Sequence, residues 1–161
     1  MKKIFMLIFT LSFLLTSCQG ATVYRDDIPC ASLCREICDE ADTYGGYSAY
    51  DREHVAFLFG ESALYDDCAV MYSTEVTDIN EVGVFHCENA DSAKALAETV
   101  LAYINEMQTE QMAFIESYAP RQVPKLQSAE VRQYGNYVIY LVLSEDDKAD
   151  TIEEITELLE Q

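Results

Sequence analysis

The sequence predicts an α+β fold, a single compact domain in which an antiparallel sheet of about four strands packs against one long helix and two terminal helices. Three observations predict it. Apolar residues recur at helical spacing in the segments that begin near Pro29, Ser92 and Thr151. Strand-forming residues cluster in two pairs, each pair joined by a short polar connection. The chain has 161 residues, half of them apolar, and so it can bury a core without a metal or disulfide.

The first predicted helix spans Pro29–Ala41. Its apolar residues recur every three or four positions and form one face: Cys30, Leu33, Cys34, Ile37, Cys38 and Ala41. A second, short helix is predicted to start at the capping residue Asp51 and to end at Phe59, because Gly60 follows. The intervening Tyr44–Tyr50 stretch is predicted to be a tyrosine-bearing turn packed on the domain.

The first strand pair is predicted at Cys68–Thr74 and Val82–Cys87, joined by the polar segment Asp78–Glu81. If this hairpin closes symmetrically, Cys68 lies opposite Cys87. Opposed strand residues have Cβ atoms about 4.5–5.5 Å apart, which is close to disulfide reach. Cys68 and Cys87 therefore form a candidate disulfide, although a reducing habitat would leave both thiols free.

A long helical pattern follows from Ser92 to Tyr118, and Pro120 ends it. A straight helix of about 27 residues would be roughly 40 Å long. We therefore expect a bend or break near Gln108–Gln111.

The second hairpin is predicted at Ser128–Tyr134 and Tyr137–Ser144, around the turn residues Gly135 and Asn136. Its second strand is almost wholly apolar, which is typical of a central strand covered on both faces. One face would carry Ile139, Leu141 and Leu143, and the other Val138, Tyr140 and Val142. A terminal helix is predicted to open with a capping box at Thr151–Glu154.

The N-terminus carries the pattern of a bacterial lipoprotein signal. Lys2 and Lys3 precede the apolar segment Ile4–Leu15, which is shorter than the ~20 residues that a spanning helix needs. Small residues then lead into Cys18, whose thiol would accept the lipid. We expect residues 1–17 to be removed as a signal peptide, residues 18–27 to form a lipidated tether and residues 28–161 to form the domain. The predicted location is the extracytoplasmic face of the cell membrane.

The charge balance restricts the class of partner. Without residues 1–17, eight Lys and Arg remain against 29 Asp and Glu, which is a net charge of −21. Nucleic-acid binding depends on clustered cations, so this class is excluded. Attachment to the membrane is expected to depend on the lipid at Cys18, and the acidic domain favours a basic envelope protein or polymer as its partner.

The cysteines of the first predicted helix have two possible roles. Cys30, Cys34 and Cys38 lie on the apolar face of the first helix, where cysteine behaves as a small hydrophobic residue. The alternative is a thiolate metal or redox site completed by His86 or Cys87. Because the row lies on a straight helix and not in a loop, we predict burial and no metal or other cofactor.

Three motifs occur in a fixed order, Asn80–Phe85, Phe114–Pro120 and Tyr134–Val138. Together with the signal that ends at Cys18, they resemble the bacterial lipoprotein family catalogued as domain of unknown function 4358. The resemblance covers roughly residues 28–144. It implies a lipid-anchored extracytoplasmic α+β domain with no assigned activity, so no catalytic residue is carried over. The three cysteines of the first helix depart from the family's usual pattern.

For catalysis, the sequence offers only the histidines His54 and His86, in no recognised nucleophile, metalloprotease or phosphate-loop pattern. We therefore expect a non-enzymatic binding domain at the cell envelope. A thiol-dependent redox or metal-binding protein is the first alternative. A hydrolase whose carboxylates cannot be singled out among 29 acidic residues is the second.

Overall fold

The fold is known from a computed structural model that describes residues 22–41, 46–60 and 63–160. Its helices are Cys30–Glu40 (α1), Arg52–Phe59 (α2), Ala90–Glu106 (α3), Met112–Tyr118 (α4), Val123–Gln127 (α5) and Glu145–Leu159 (α6). Its strands are Tyr47–Ala49 (β1), Asp67–Ser73 (β2), Glu81–His86 (β3), Glu130–Tyr134 (β4) and Tyr137–Val142 (β5). A π-helical segment, Met107–Gln111, joins α3 to α4, and a 3-10 turn, Pro120–Gln122, precedes α5.

The strands form one antiparallel sheet in the order β1-β2-β3-β5-β4. The α+β prediction is confirmed, with five strands in place of about four. The additional strand, β1, lies inside the predicted tyrosine turn, where Tyr47 pairs with Ser73 of β2. Three residues are too few to show an alternating pattern, and only the neighbouring β2 identifies them as a strand.

Helices cover the sheet on both faces. The α1/α6 face is packed by α1 and α6, and the α2–α5 face by α2, α3, α4, α5 and the π-helical segment. The strand β5 lies between β3 and β4 and divides its side chains as predicted. Ile139, Leu141 and Leu143 are buried on the α1/α6 face, and Val138, Tyr140 and Val142 on the α2–α5 face.

The predicted ends of a helix are confirmed where a capping residue or a proline determines them. The Asp51 carboxylate accepts the backbone N–H of His54 at 2.8 Å at the start of α2, and Gly60 ends that helix with a φ of 85°. The long helix is interrupted at Met107–Gln111, as predicted, and α4 ends two residues before Pro120.

Two limits differ from the prediction. The last helix begins at Glu145 and not at Thr151, because Ser144 caps it by accepting the backbone N–H of Asp147 at 3.2 Å. Thr151 is buried inside the helix instead. The short helix α5 was not predicted, since Pro124 lies in its first turn and proline is also typical of a helix end.

Part of the predicted tether contacts the domain. Tyr24 forms an isolated β-bridge with Glu160, and its ring packs edge-on against Tyr134 at 5.6 Å. The Arg25 backbone N–H donates to the carbonyl of Leu159 at 2.7 Å. Residues 1–17 and Cys18 lie outside the described residues. Both cores and all five strands lie within residues 22–160.

Candidate functional site

Glu81, the first residue of β3, is a carboxylate in the core and is 5% exposed. Because side chains alternate along a strand, Glu81 and Phe85 point to the α2–α5 face, whereas Val82 and Val84 point to the α1/α6 face. A buried carboxylate is costly unless hydrogen bonds compensate for its lost hydration. The fold must therefore supply hydrogen-bond donors to Glu81.

Three tyrosine hydroxyls donate to Glu81. Tyr140 and Tyr103 bond Oε1 at 2.7 and 2.8 Å, and Tyr50 bonds Oε2 at 3.1 Å. They come from β5, from α3 and from the residue after β1. We call these four residues the Glu81 cluster. Burial raises the pKa of Glu81, although the three hydrogen bonds act to lower it.

Burial and the neighbouring carboxylate also raise the pKa of each tyrosine in the cluster. At neutral pH the three phenols therefore remain protonated and can donate. Both carboxylate oxygens are already bonded, so the cluster acts chemically as a fixed polar anchor for its tyrosines.

Gly83 makes room for this arrangement. A Cβ atom on Gly83 would lie 2.0 Å from Cε1 of Tyr140, far inside van der Waals contact. Glycine inside a strand often marks a close approach of this kind. The Tyr140 ring therefore crosses the backbone of β3 on its way to Glu81.

The Glu81 cluster lies between two surface depressions. Tyr50 lines one of about 160 Å³, together with Arg52, Asp66 and Cys68. Tyr103 lines the other, a groove of about 310 Å³ between α2 and the end of α3. The buried carboxylate thus holds one wall residue of each depression in place.

A second polar network fixes the loop before β3. The Lys125 ammonium donates to Asp78 at 2.8 Å and to the Asn80 side-chain oxygen at 2.6 Å. The amide of Gln108 in the π-helical segment donates to the carbonyl of Leu126 at 2.8 Å. These bonds attach α5 to the loop before β3 and to the π-helical segment.

His86, at the end of β3, is hydrogen-bonded to Asp66, with Nδ1 and the carboxylate oxygen 2.7 Å apart. This hydrogen bond lowers the pKa of Asp66. The His86 ring also packs edge-on against Tyr137 at 5.0 Å, and its Nε2 is buried without a hydrogen-bond partner among the described residues. His54 is exposed and stacks on Tyr50 at 4.3 Å. The two histidines lie on different elements and do not form one site.

The α1 cysteines are core residues. Cys30, Cys34 and Cys38 are each at most 5% exposed on the α1/α6 face, and the Cys34 thiol lies 3.5 Å from the carbonyl oxygen of Val82. Burial and Asp67 raise the pKa of Cys30, and the adjacent Cys38 thiol and burial raise that of Cys34. Raised pKa values favour the thiol over the nucleophilic thiolate.

The predicted register of Cys68 and Cys87 is wrong by two residues. Cys68 lies opposite Phe85, and Cys87 lies beyond the last paired residue of β3. The connection does not close symmetrically, because Ser73 and Asn80 bond at its base and the turn inside it starts at Glu75. Cys68 and Cys87 are therefore not cross-strand neighbours, and the predicted disulfide loses the register argument on which it was based.

Sequence reasoning did not single out the Glu81 cluster. It placed Glu81 and Asn80 in a polar connection, because both precede the apolar part of β3. The one local signal was Gly83 in the middle of a strand. Within the described ranges, no group of three or more His, Cys, Asp or Glu residues is arranged to hold a metal ion.

The three sequence motifs occupy distinct structural positions. Asn80–Phe85 contributes Asn80 to one polar network, Glu81 to the other, and Gly83 beneath the Tyr140 ring. Phe114–Pro120 covers most of α4 and the residues that end it. Tyr134–Val138 contains the hairpin turn at Gly135. The family model described as domain of unknown function (DUF4358) matches residues 40–143. The chain belongs to the DUF4358 family. No curated protein and no solved structure matches the chain.

The DUF4358 match is narrower than the predicted range of residues 28–144. It includes all five strands and every helix of the α2–α5 face, and it stops before α6. The Glu81 cluster and both surface depressions therefore lie within the matched part of this DUF4358 chain.

Proposed function

We propose that this DUF4358 protein is lipid-anchored through Cys18 on the extracytoplasmic face of the cell membrane, where its domain binds a basic partner without catalysing a reaction. The Leu15-Thr16-Ser17-Cys18 sequence after an apolar segment supports the anchor. Within the described residues, no helix is both long and apolar enough to cross a membrane.

The observation that carries the binding proposal is the charge of the domain surface. Half of the eight cations outside residues 1–17 are in ion pairs with carboxylates: Arg25, Lys125, Arg132 and Lys148. These pairs neutralise only a small part of the 29 acidic residues. The remaining negative field attracts cationic segments and repels anionic ones.

The buried groups support a binding domain better than an enzyme. Glu81 accepts hydrogen bonds from three tyrosine hydroxyls, and His86 is hydrogen-bonded to Asp66. A thiol-dependent function is less well supported, because the pKa values of Cys30, Cys34, Cys68 and Cys87 are all raised, that of Cys87 to about 11.

The anchor is tested by detergent phase partitioning of the full chain and of Cys18→Ala. We expect the wild type in the detergent phase and the variant in the aqueous phase or retained as precursor, because no other thiol lies at the signal junction. A Cys68→Ala variant is the matched control and should partition like the wild type. A wild type that enters the aqueous phase with a free N-terminus would refute the anchor.

The partner class is tested with residues 19–161, which include both cores and every strand. Binding of polylysine and of polyglutamate is measured by calorimetry at low and high salt. We expect polylysine to bind and its affinity to fall as salt screens the surface charge. No binding of polylysine at low salt, or equal binding of polyglutamate, would refute the basic-partner proposal.

A further inference from the structure

The groove of about 310 Å³ lies between α2 and the C-terminal part of α3, on the α2–α5 face. Phe57 and Leu58 form its α2 side, and Tyr103 of α3 and Met107 of the π-helical segment form its other side. Its volume is at the lower end of the range for ligand pockets, which suits one or two side chains of a larger partner.

Phe57 is unusually exposed for a large aromatic residue. It is 84% exposed although α2 has a buried side formed by Val55 and Phe59. A large exposed aromatic residue has no role in the core, and aromatic residues are enriched at the centre of protein interfaces. The side chain is available for contact with a partner.

The rim of the groove is acidic. Glu106 and Glu110 line it, and no described lining residue is a lysine or arginine. Neither carboxylate is part of a salt bridge within the described residues. The groove therefore combines an apolar floor with two carboxylates that lack a cationic partner.

Two further exposed aromatic residues follow the π-helical segment. Phe114 is 64% exposed and packs against Tyr118, one turn further along α4, with ring centroids 4.6 Å apart. Neither residue is among those that line the groove.

We propose that this groove binds a cationic polypeptide segment, with an apolar side chain of the segment between Phe57 and Met107 and its lysine or arginine residues at Glu106 and Glu110. This inference rests on the proposed function and specifies its binding surface. The Glu81 cluster supports the groove from below, because the Tyr103 hydroxyl is fixed by Glu81 at 2.8 Å.

The test uses three synthetic hexapeptides: Lys-Lys-Phe-Leu-Lys-Lys, its acidic counterpart Glu-Glu-Phe-Leu-Glu-Glu and the non-apolar Lys-Lys-Ser-Ser-Lys-Lys. Each is titrated by calorimetry into residues 19–161 at low salt, and the first is repeated on the full chain in nanodiscs of neutral phospholipid. We expect the first peptide to bind most tightly, because it alone satisfies both the floor and the rim.

Two variants alter the groove, and two control variants alter α3 outside the groove. Phe57→Ala removes the exposed aromatic ring, and Glu106→Gln removes one rim charge. Leu101 lies on the opposite side of α3 from Tyr103, about 160° away, and Glu98 lies about 12 Å along the helix axis from Glu106, by the rotation of about 100° and the rise of 1.5 Å per residue. Neither Leu101 nor Glu98 lines the groove. Leu101→Ala therefore removes an apolar side chain, and Glu98→Gln one carboxylate charge, outside the groove.

We expect Phe57→Ala to weaken binding of the first peptide about tenfold, as loss of an interface anchor does. Glu106→Gln should weaken it a few-fold and reduce its salt dependence. Leu101→Ala should leave the affinity unchanged, and Glu98→Gln should change it less than Glu106→Gln does.

The groove proposal would be refuted if the groove variants and their controls changed the peptide affinity equally. The proposed function would stand in that case, provided that salt-sensitive binding is retained. No binding of either cationic peptide would refute both. A dimer seen by sedimentation that Phe57→Ala abolishes would replace the cationic segment with a second copy of the chain as the occupant.

Discussion

The two faces of the sheet are built in different ways. On the α1/α6 face, cysteines, leucine and isoleucine of α1 share one apolar core with side chains of β3 and β5, and no residue with a carboxylate side chain is buried in that described core. On the α2–α5 face, the same two strands carry Glu81, Gly83 and Tyr140, and the helices around them leave two surface depressions. One strand, β3, thus supplies an apolar surface to one side and a polar cluster to the other.

The two faces therefore contribute to the fold through different interactions. Apolar burial on the α1/α6 face is non-directional. The Glu81 cluster keeps a carboxyl group in the core, which is costly to bury without hydrogen bonds, and it orients three tyrosines. The family match covers all helices of the α2–α5 face, where the exposed Phe57 and Phe114 also lie.

The largest effect is expected on the α1/α6 face. Leu141→Ala removes a side chain that is 1% exposed from the centre of β5 and should lower the free energy of unfolding by about 2–5 kcal/mol. Urea denaturation gives the value. Val76→Ala, at a fully exposed position, is the control and should change stability by less than about 0.5 kcal/mol. A loss below about 1 kcal/mol for Leu141→Ala would place β5 at an edge of the sheet.

Gly83→Ala should cost about 1–3 kcal/mol, because the added methyl group collides with the Tyr140 ring. A double-mutant cycle separates this collision from other effects. In a Tyr140→Leu background the ring is absent, so Gly83→Ala should be much less destabilising there. An equal cost in both backgrounds would mean that Tyr140 is not the neighbour that requires glycine.

A smaller effect is expected from the charge of Glu81. Burial raises its pKa above the ordinary value of 4.5, so the folded protein holds this proton more tightly than the unfolded chain does. Stability from this group is therefore fully present below pH 4.5 and is lost as pH rises through the folded pKa. Glu81→Gln keeps an acceptor for the tyrosines and removes the titration, so it should reduce the loss of stability as pH rises above 4.5.

Chemical denaturation across that pH range measures the change. Glu153→Gln, an exposed substitution on α6, should keep the wild-type pH dependence. Asp27, Asp66 and Glu145 have lowered pKa values and act with the opposite sign, but they are the same in both variants. An unchanged pH profile in Glu81→Gln would show that Glu81 is not the group responsible.

The smallest effect concerns the thiols. Cys68 is half-buried on the α2–α5 face, whereas Cys30, Cys34 and Cys87 are fully buried. Alkylation of the native protein should therefore modify Cys68 first and leave the α1 row unmodified until the protein unfolds. Mass mapping identifies the site, and Cys68→Ser should remove the early reaction. Early modification of Cys34 would contradict the packed α1/α6 face.

The sequence predicted the α1/α6 face more completely than the α2–α5 face. The spacing of Cys30, Leu33 and Ile37 and the alternation along β5 are local patterns, and both identified buried side chains correctly. Capping by Asp51 is also local. By contrast, β1 is too short to show a pattern, and Pro124 is typical of a helix end as well as of a first turn.

The Glu81 cluster could not be predicted because its members are distant in sequence. Tyr50, Tyr103 and Tyr140 meet Glu81 only after α3 crosses the sheet and β5 pairs with β3. A glutamate beside Asp78 and Asn80 has the pattern of a solvated loop. The predicted register of β2 and β3 was wrong for a related reason. Hydrogen bonds at the base of the Thr74–Asn80 connection and inside it set the register, and the strand sequences do not show these bonds.

The π-helical segment holds about one residue more than an α-helix would place in the same turn. Its five residues, Met107–Gln111, form a turn wider than the α-helical turns on either side. Each residue of an α-helix advances the chain by about 100° and 1.5 Å, and each residue of a wider turn advances it through a smaller angle. Deleting a single residue, such as Thr109, would therefore restore α-helical winding and leave the rotational phase of α4 nearly unchanged. Ile115 would keep its buried position although the chain would be one residue shorter.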